Sequence, residues 1–209
     1  MKIIGPAIAA TIWVGMVIGG TGVLYVYGTQ PGDAGETPAP LLWPVDTELP
    51  REENAHTLLL FAHPRCPCTR ASFEMLQRVL LQSRVPVVCH LVFVAPSGVD
   101  ATWMDGSLIN EASHIPGTKV YRDLHAHEAR RFGATTSGYV LLYDHRGALA
   151  FSGGITASRG HAGNNFASDS ISMLLSGSPD RAATRRAPVY GCPLFNADDC
   201  RETEQTCQE

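Results

Sequence analysis

The sequence predicts an α/β domain, a mixed central sheet with helices on both faces, carried behind an N-terminal transmembrane helix. Three observations lead there. Ile3 to Gly28 holds no charged residue. Beyond a proline-rich stretch, short apolar runs of strand length alternate with segments of helical periodicity, the pattern of layered α/β domains. Two of the later runs, 139–143 and 148–151, flank the turn Asp144-His145-Arg146-Gly147, which makes them an antiparallel hairpin.

The elements follow in chain order. The uncharged N-terminal run would span roughly 39 Å as a helix, enough for a hydrocarbon core of about 30 Å. Its apolar character continues through Leu24-Tyr25-Val26-Tyr27, longer than the core of a cleaved signal, so residues 1–28 are read as an uncleaved anchor. Lys2 precedes the span, while Asp33 and Glu36 follow it. The positive-inside rule then puts the N-terminus in the cytoplasm of a bacterial inner membrane and the rest in the periplasm.

Residues 29–56 contain Pro31, Pro38, Pro40, Pro44 and Pro50 without apolar periodicity and read as an extended linker. The domain is expected over 57–177. It begins with a buried strand, Thr57 to Ala62, and a helix from Thr69, whose hydroxyl would cap it and whose Phe73, Leu76 and Leu80 form one face. A second strand runs from Val85 to Val94. Helices are expected over Trp103 to Ser113 and Ala126 to Phe132, then the hairpin, then a last helix within Asn165 to Leu175, with Asn164 as its cap. Residues 178–209 are an irregular tail holding three of the six cysteines.

Sixteen Lys and Arg against 20 Asp and Glu give a net charge of −4. That balance disfavours a protein held to nucleic acid by phosphate contacts, so no nucleic-acid partner is expected. The cysteines carry the chemistry, because a domain outside the cytoplasm meets an oxidising medium. Cys89 lies within an apolar strand and reads as a buried structural thiol. Cys66-Pro67-Cys68 lies in the turn that opens a helix, where unpaired N–H groups and nearby Arg65, Arg70 and His63 favour a thiolate. Such a thiol is both a nucleophile and a good leaving group near neutral pH.

The segments Leu58 to Cys68 and Arg130 to Asp144 resemble the active-site turn and the later helix, strand and hairpin of thioredoxin-like proteins. Most similar is the RedB-like group of bacterial membrane-anchored thioredoxin-domain proteins, in which a Cys-Pro-Cys turn occurs with an Arg-Gly-His segment, here Arg159-Gly160-His161. The resemblance implies a thioredoxin-like fold over roughly Thr57 to Leu175 and a redox-active pair in which Cys66 takes the exposed attacking position. Two features depart from it. One residue rather than two separates the cysteines, and Ser137-Gly138 stand where the family has a cis-proline against the thiols.

The family's topology also implies that the loop after the hairpin, with His161, returns to the cysteines. There the imidazole would act as a base or as a ligand, or the loop would only cap the last helix through Asn164 and leave His161 solvated. The tail cysteines Cys192, Cys200 and Cys207 have no zinc-type spacing and are expected to be structural or resolving, with a disulfide between two of them and one thiol left over, or with Cys192 folding back onto the active-site pair.

The function expected is that of a membrane-anchored thiol-disulfide oxidoreductase in which Cys66 attacks a substrate disulfide and Cys68 resolves the mixed disulfide. His63, Arg65, Gly138 and His161 would support the pair, no cofactor is required, and the partners would be protein thiols or disulfides and a membrane redox protein. One alternative is copper handling, with Cys66, Cys68 and His161 as ligands. Another is a non-catalytic accessory subunit of a membrane complex.

Overall fold

The computed structural model describes residues 4–33, 35, 37–95, 98, 99, 101–177 and 184–195. Helix α1 (Ile4–Thr29) is exposed over residues 5–27, meets the domain at its end, and is long and apolar enough to cross a membrane. Strand β1 (His56–Ala62), helix α2 (Thr69–Gln82) and strand β2 (Val87–Ala95) form a parallel unit. A 3₁₀ turn over Ala101–Met104 and helix α3 (Ser107–Ser113) lead to β3 (Thr118–Leu124). Helix α4 (His127–Arg131), the hairpin β4 (Tyr139–Tyr143) and β5 (Leu149–Gly154), helix α5 (Phe166–Leu175) and a short β6 (Arg185–Arg186) complete the chain.

The six strands lie in the order β3-β2-β1-β4-β5-β6. β1, β2 and β3 are mutually parallel, β4 runs antiparallel to β1 and β5, and β6 is parallel to β5. The two-residue period of a strand divides the central sheet between two cores. Leu58, Leu60 and Ala62 pack with Phe73, Leu76 and Val79 of α2 and with Ile171 and Leu175 of α5. Leu59 and Phe61 face the other way, onto Phe132, Ala129 of α4, Leu49 and Leu194. Leu58 to Ala62 of β1 are buried on both faces, which is why that run is continuously apolar.

Several sequence expectations are corrected. Residues 29–56 are not a free tether. Leu49 is buried, the Trp43 ring meets Phe132 and Tyr143 edge-on, and Trp43 N–H donates to the Gly147 carbonyl at 2.8 Å. The second sheet face has only the short α4 as helix cover, so the linker's apolar residues complete it. Strand β3 was not anticipated, because an edge strand with polar, partly exposed residues lacks a buried face. The helix expected over 103–113 is two pieces, the 3₁₀ turn and α3, and β2 runs from Val87 to Ala95 rather than from Val85 to Val94.

Thr69 is the first residue of α2 rather than its cap. Cys68 holds the cap position in a helical conformation without a side-chain bond. The cap of α5 is Asn165, not Asn164. Its side-chain oxygen accepts from Ala167 N–H and Ser168 N–H, and Ser168 Oγ accepts from Asn165 N–H. The tail is ordered over 184–195, where β6 extends the sheet. Cys200 and Cys207 lie outside the described residues.

Candidate active site

The end of β1 and the start of α2 build the site. Cys66 N–H donates to the His63 carbonyl at 3.1 Å, and the Cys66 carbonyl accepts from Thr69 N–H at 3.1 Å. This tight turn puts Cys66, Pro67 and Cys68 where the helix's orphan N–H groups begin. Ser137 Oγ accepts from His63 N–H at 2.9 Å and lies 3.3 Å from Thr69 Oγ1, while Gly138 N–H donates to the Phe61 carbonyl at 2.8 Å. The start of β4 is thereby fixed against the thiol turn. Gly138 has φ of 91°, and no peptide bond among the described residues is cis.

The strand pattern of the domain is a parallel β1-α2-β2 unit followed by an antiparallel β4-β5 hairpin and α5, with sheet order β2-β1-β4-β5 at its centre. Neither a protein-family model nor a curated protein matches the chain. Among solved structures, an uncharacterized conserved protein from Geobacillus kaustophilus is similar over 80% of this chain and 93% of its own, at 18% identity and a TM-score of 0.53. The fold is thioredoxin-like. A hypothetical protein from Sinorhizobium meliloti is similar over 69% of this chain and 82% of its own, at 16% identity and a TM-score of 0.49. A secreted Mycobacterium tuberculosis disulfide oxidoreductase homologous to E. coli DsbE is similar over 58% and 81%, at 15% identity and a TM-score of 0.40.

Within this thioredoxin-like domain the thiol of Cys66 is met by a tail residue. Cys66 Sγ and Cys192 Sγ are 3.2 Å apart. Cys66 is only 1% exposed, which corrects the expectation of an exposed attacking thiol. Cys68 and Cys192 are half-buried, and Pro67 is exposed beside them. Burial pushes the Cys66 thiol up, but hydrogen bonds from Cys192 and Cys68 outweigh it and leave Cys66 below the ordinary thiol value. Burial and the neighbouring Cys66 charge push Cys68 up. Burial, with the hydrogen bond and charge of Cys66, pushes Cys192 up to about 12. Of the three clustered thiols, Cys66 is therefore the one whose thiolate is favoured. Cys89 is fully buried in the core and burial raises its thiol.

Arg159 is the functional residue that sequence reasoning passed over in favour of His161. Its guanidinium donates to the Gly191 carbonyl, lies 5.0 Å over the Tyr27 ring, and has a buried Nε without a hydrogen-bond partner. Its positive charge opposes the upward push on Cys68 and Cys192. The adjacent Gly160 faces Cys68, since a Cβ there would stand 3.9 Å from Cys68 Sγ. His161 is exposed, in a tight turn whose N–H donates to the Ser158 carbonyl at 3.3 Å.

That turn presents Gly160, not the imidazole, to the thiols. Among the described residues no group of three or more His, Cys, Asp or Glu is arranged to hold a metal ion. The copper set of Cys66, Cys68 and His161 is therefore not assembled. On the other side of the turn, His63 Nδ1 accepts from Arg65 N–H at 3.0 Å, and Trp103 carries His63 edge-on and the Arg65 guanidinium at 4.5 Å. Burial, helped by the Arg65 charge, lowers the His63 imidazole, leaving it neutral beside the site.

Proposed function

We propose that the chain is an extracytoplasmic thiol-disulfide oxidoreductase of the RedB-like kind, anchored by α1, with Cys66 as its nucleophile and Cys68 in the same redox centre. The observation that carries this reading is the clustering of thiols at the start of α2, where Cys68 holds the cap position and Cys66 Sγ lies 3.2 Å from Cys192 Sγ. A thiolate kept below the ordinary thiol value attacks a disulfide sulfur at neutral pH, and a neighbouring thiol then attacks Cys66 Sγ and releases the substrate. The fold's ability to place thiols at a helix start supports the same reading.

The site also lies against the end of the apolar helix, since Arg159 N–H donates to the Gly28 carbonyl at 2.9 Å. With α1 as an uncleaved anchor, the thiols stand at the periplasmic surface of the bilayer, within reach of protein thiols and disulfides and of a membrane redox partner. The test is reduction of a peptide disulfide by dithiothreitol with the full chain in detergent. The chain should accelerate the reaction and Cys66→Ser should abolish the acceleration. Retained acceleration in Cys66→Ser would remove Cys66 from the mechanism.

A further inference from the structure

The tail that delivers Cys192 is held by several independent contacts. Ser137 N–H donates to the Cys192 carbonyl and Leu194 N–H to the Thr135 carbonyl, each at 2.8 Å, so that 192–194 pairs antiparallel with the segment before β4. Leu194 is 1% exposed within the second core, and the Arg159 guanidinium donates to the Gly191 carbonyl. A Cβ at position 191 would overlap the Ser137 carbonyl oxygen, so only glycine lets the tail backbone come this close. Cys192 is thus a built part of the centre, not a passing thiol from a loose terminus.

The two thiols beside Cys66 differ in how they could bond to it. Cys192 Sγ, already at 3.2 Å, needs little more than about 1 Å of approach to reach a disulfide length of about 2.05 Å. A Cys66–Cys68 bond would have to form inside one turn fixed by Cys66 N–H to His63 O, Thr69 N–H to Cys66 O and Arg70 N–H to Pro67 O. We infer that Cys192 is the resolving thiol, so that the oxidised protein carries a Cys66–Cys192 disulfide while Cys68 remains a thiol at the exposed lip. This rests on the exchange chemistry proposed above.

The steps balance without a further reagent. The Cys66 thiolate attacks one sulfur of a substrate disulfide, forms a mixed disulfide, and expels the other sulfur as a thiolate that takes a proton from water. Cys192 loses its proton to water, attacks Cys66 Sγ and expels the second substrate thiolate. Two electrons pass from the Cys66 and Cys192 thiols to the substrate, which leaves as two thiols. The order is built into the cluster. Burial together with the hydrogen bond and charge of Cys66 keeps Cys192 protonated, and the hydrogen bond to the thiolate and its charge are lost once Cys66 enters the mixed disulfide.

The experiment treats the full chain in detergent with oxidised glutathione and maps its disulfides by peptide mass. The unmodified chain should give the 66–192 cross-link, Cys68→Ser should give it too, and Cys192→Ser and Cys192→Ala should each accumulate a glutathione adduct on Cys66. A 66–68 bond in the unmodified chain, or an adduct that accumulates in Cys68→Ser but not in the Cys192 variants, would overturn the assignment and leave the oxidoreductase reading standing. A Cys66 that takes neither adduct nor cross-link in any form would overturn both.

Discussion

Gly191→Ala changes one hydrogen into a methyl group at the closest approach of tail and domain. The new Cβ would overlap the Ser137 carbonyl oxygen, which is backbone fixed at the start of β4 and cannot rotate away. Either the tail pair at Cys192 and Leu194 shifts outward or the start of β4 yields, and inserted methyl groups in packed sites typically cost about 1–3 kcal/mol. If that cost falls on the docked tail, it falls on the Cys66–Cys192 disulfide, because the bond can form only with the tail in place. At about 30 mV per 1.4 kcal/mol for a two-electron couple, the reduction potential should rise by roughly 20–65 mV, making the disulfide easier to reduce. Equilibration of the full chain in glutathione buffers, read by the number of alkylatable thiols, measures this directly. An unchanged potential in a variant with an unchanged melting curve would refute the claim that the tail seats Cys192.

Alkylation of Cys66 by iodoacetamide should titrate at lower pH than alkylation of a free cysteine under the same conditions, because hydrogen bonds from Cys192 and Cys68 outweigh the effect of burial. A midpoint at or above that of free cysteine would contradict the favoured thiolate. Arg159→Met should slow alkylation of Cys68 at neutral pH, since burial and the Cys66 charge would then push that thiol up without the opposing guanidinium charge; an unchanged rate would show that the guanidinium only ties the tail. Intact mass of the mature protein from membranes should include α1. A product beginning between Thr29 and Glu36 would instead make α1 a cleaved signal.

What the sequence revealed depended on whether side chains or backbone carried the interaction. α2 was legible because its apolar residues repeat at the helical period, and β1, β2 and the hairpin because they are short apolar runs bounded by turn residues. β3 was not, since its Thr118, Arg122 and Leu124 stand at the edge of the sheet with no apolar face to repeat. The thiol turn was recognisable from Cys66-Pro67-Cys68, yet the burial of Cys66 follows from the tail covering it. That tail docks by backbone hydrogen bonds to Thr135 and Ser137, which leave no periodic trace; only Gly191 beside Cys192 hints at a close approach. The linker misled for a similar reason. Its prolines suggest a tether, while Trp43 and Leu49, the residues that pack it onto the second core, are too few to form a period.

The most direct test of the redox centre is a glutathione titration of the full chain compared with Cys66→Ser. The account predicts a reversible two-electron transition in the unmodified chain that vanishes when Cys66 is replaced. A transition that survives in Cys66→Ser, or thiols in the unmodified chain that stay reduced across the whole buffer range, would contradict it.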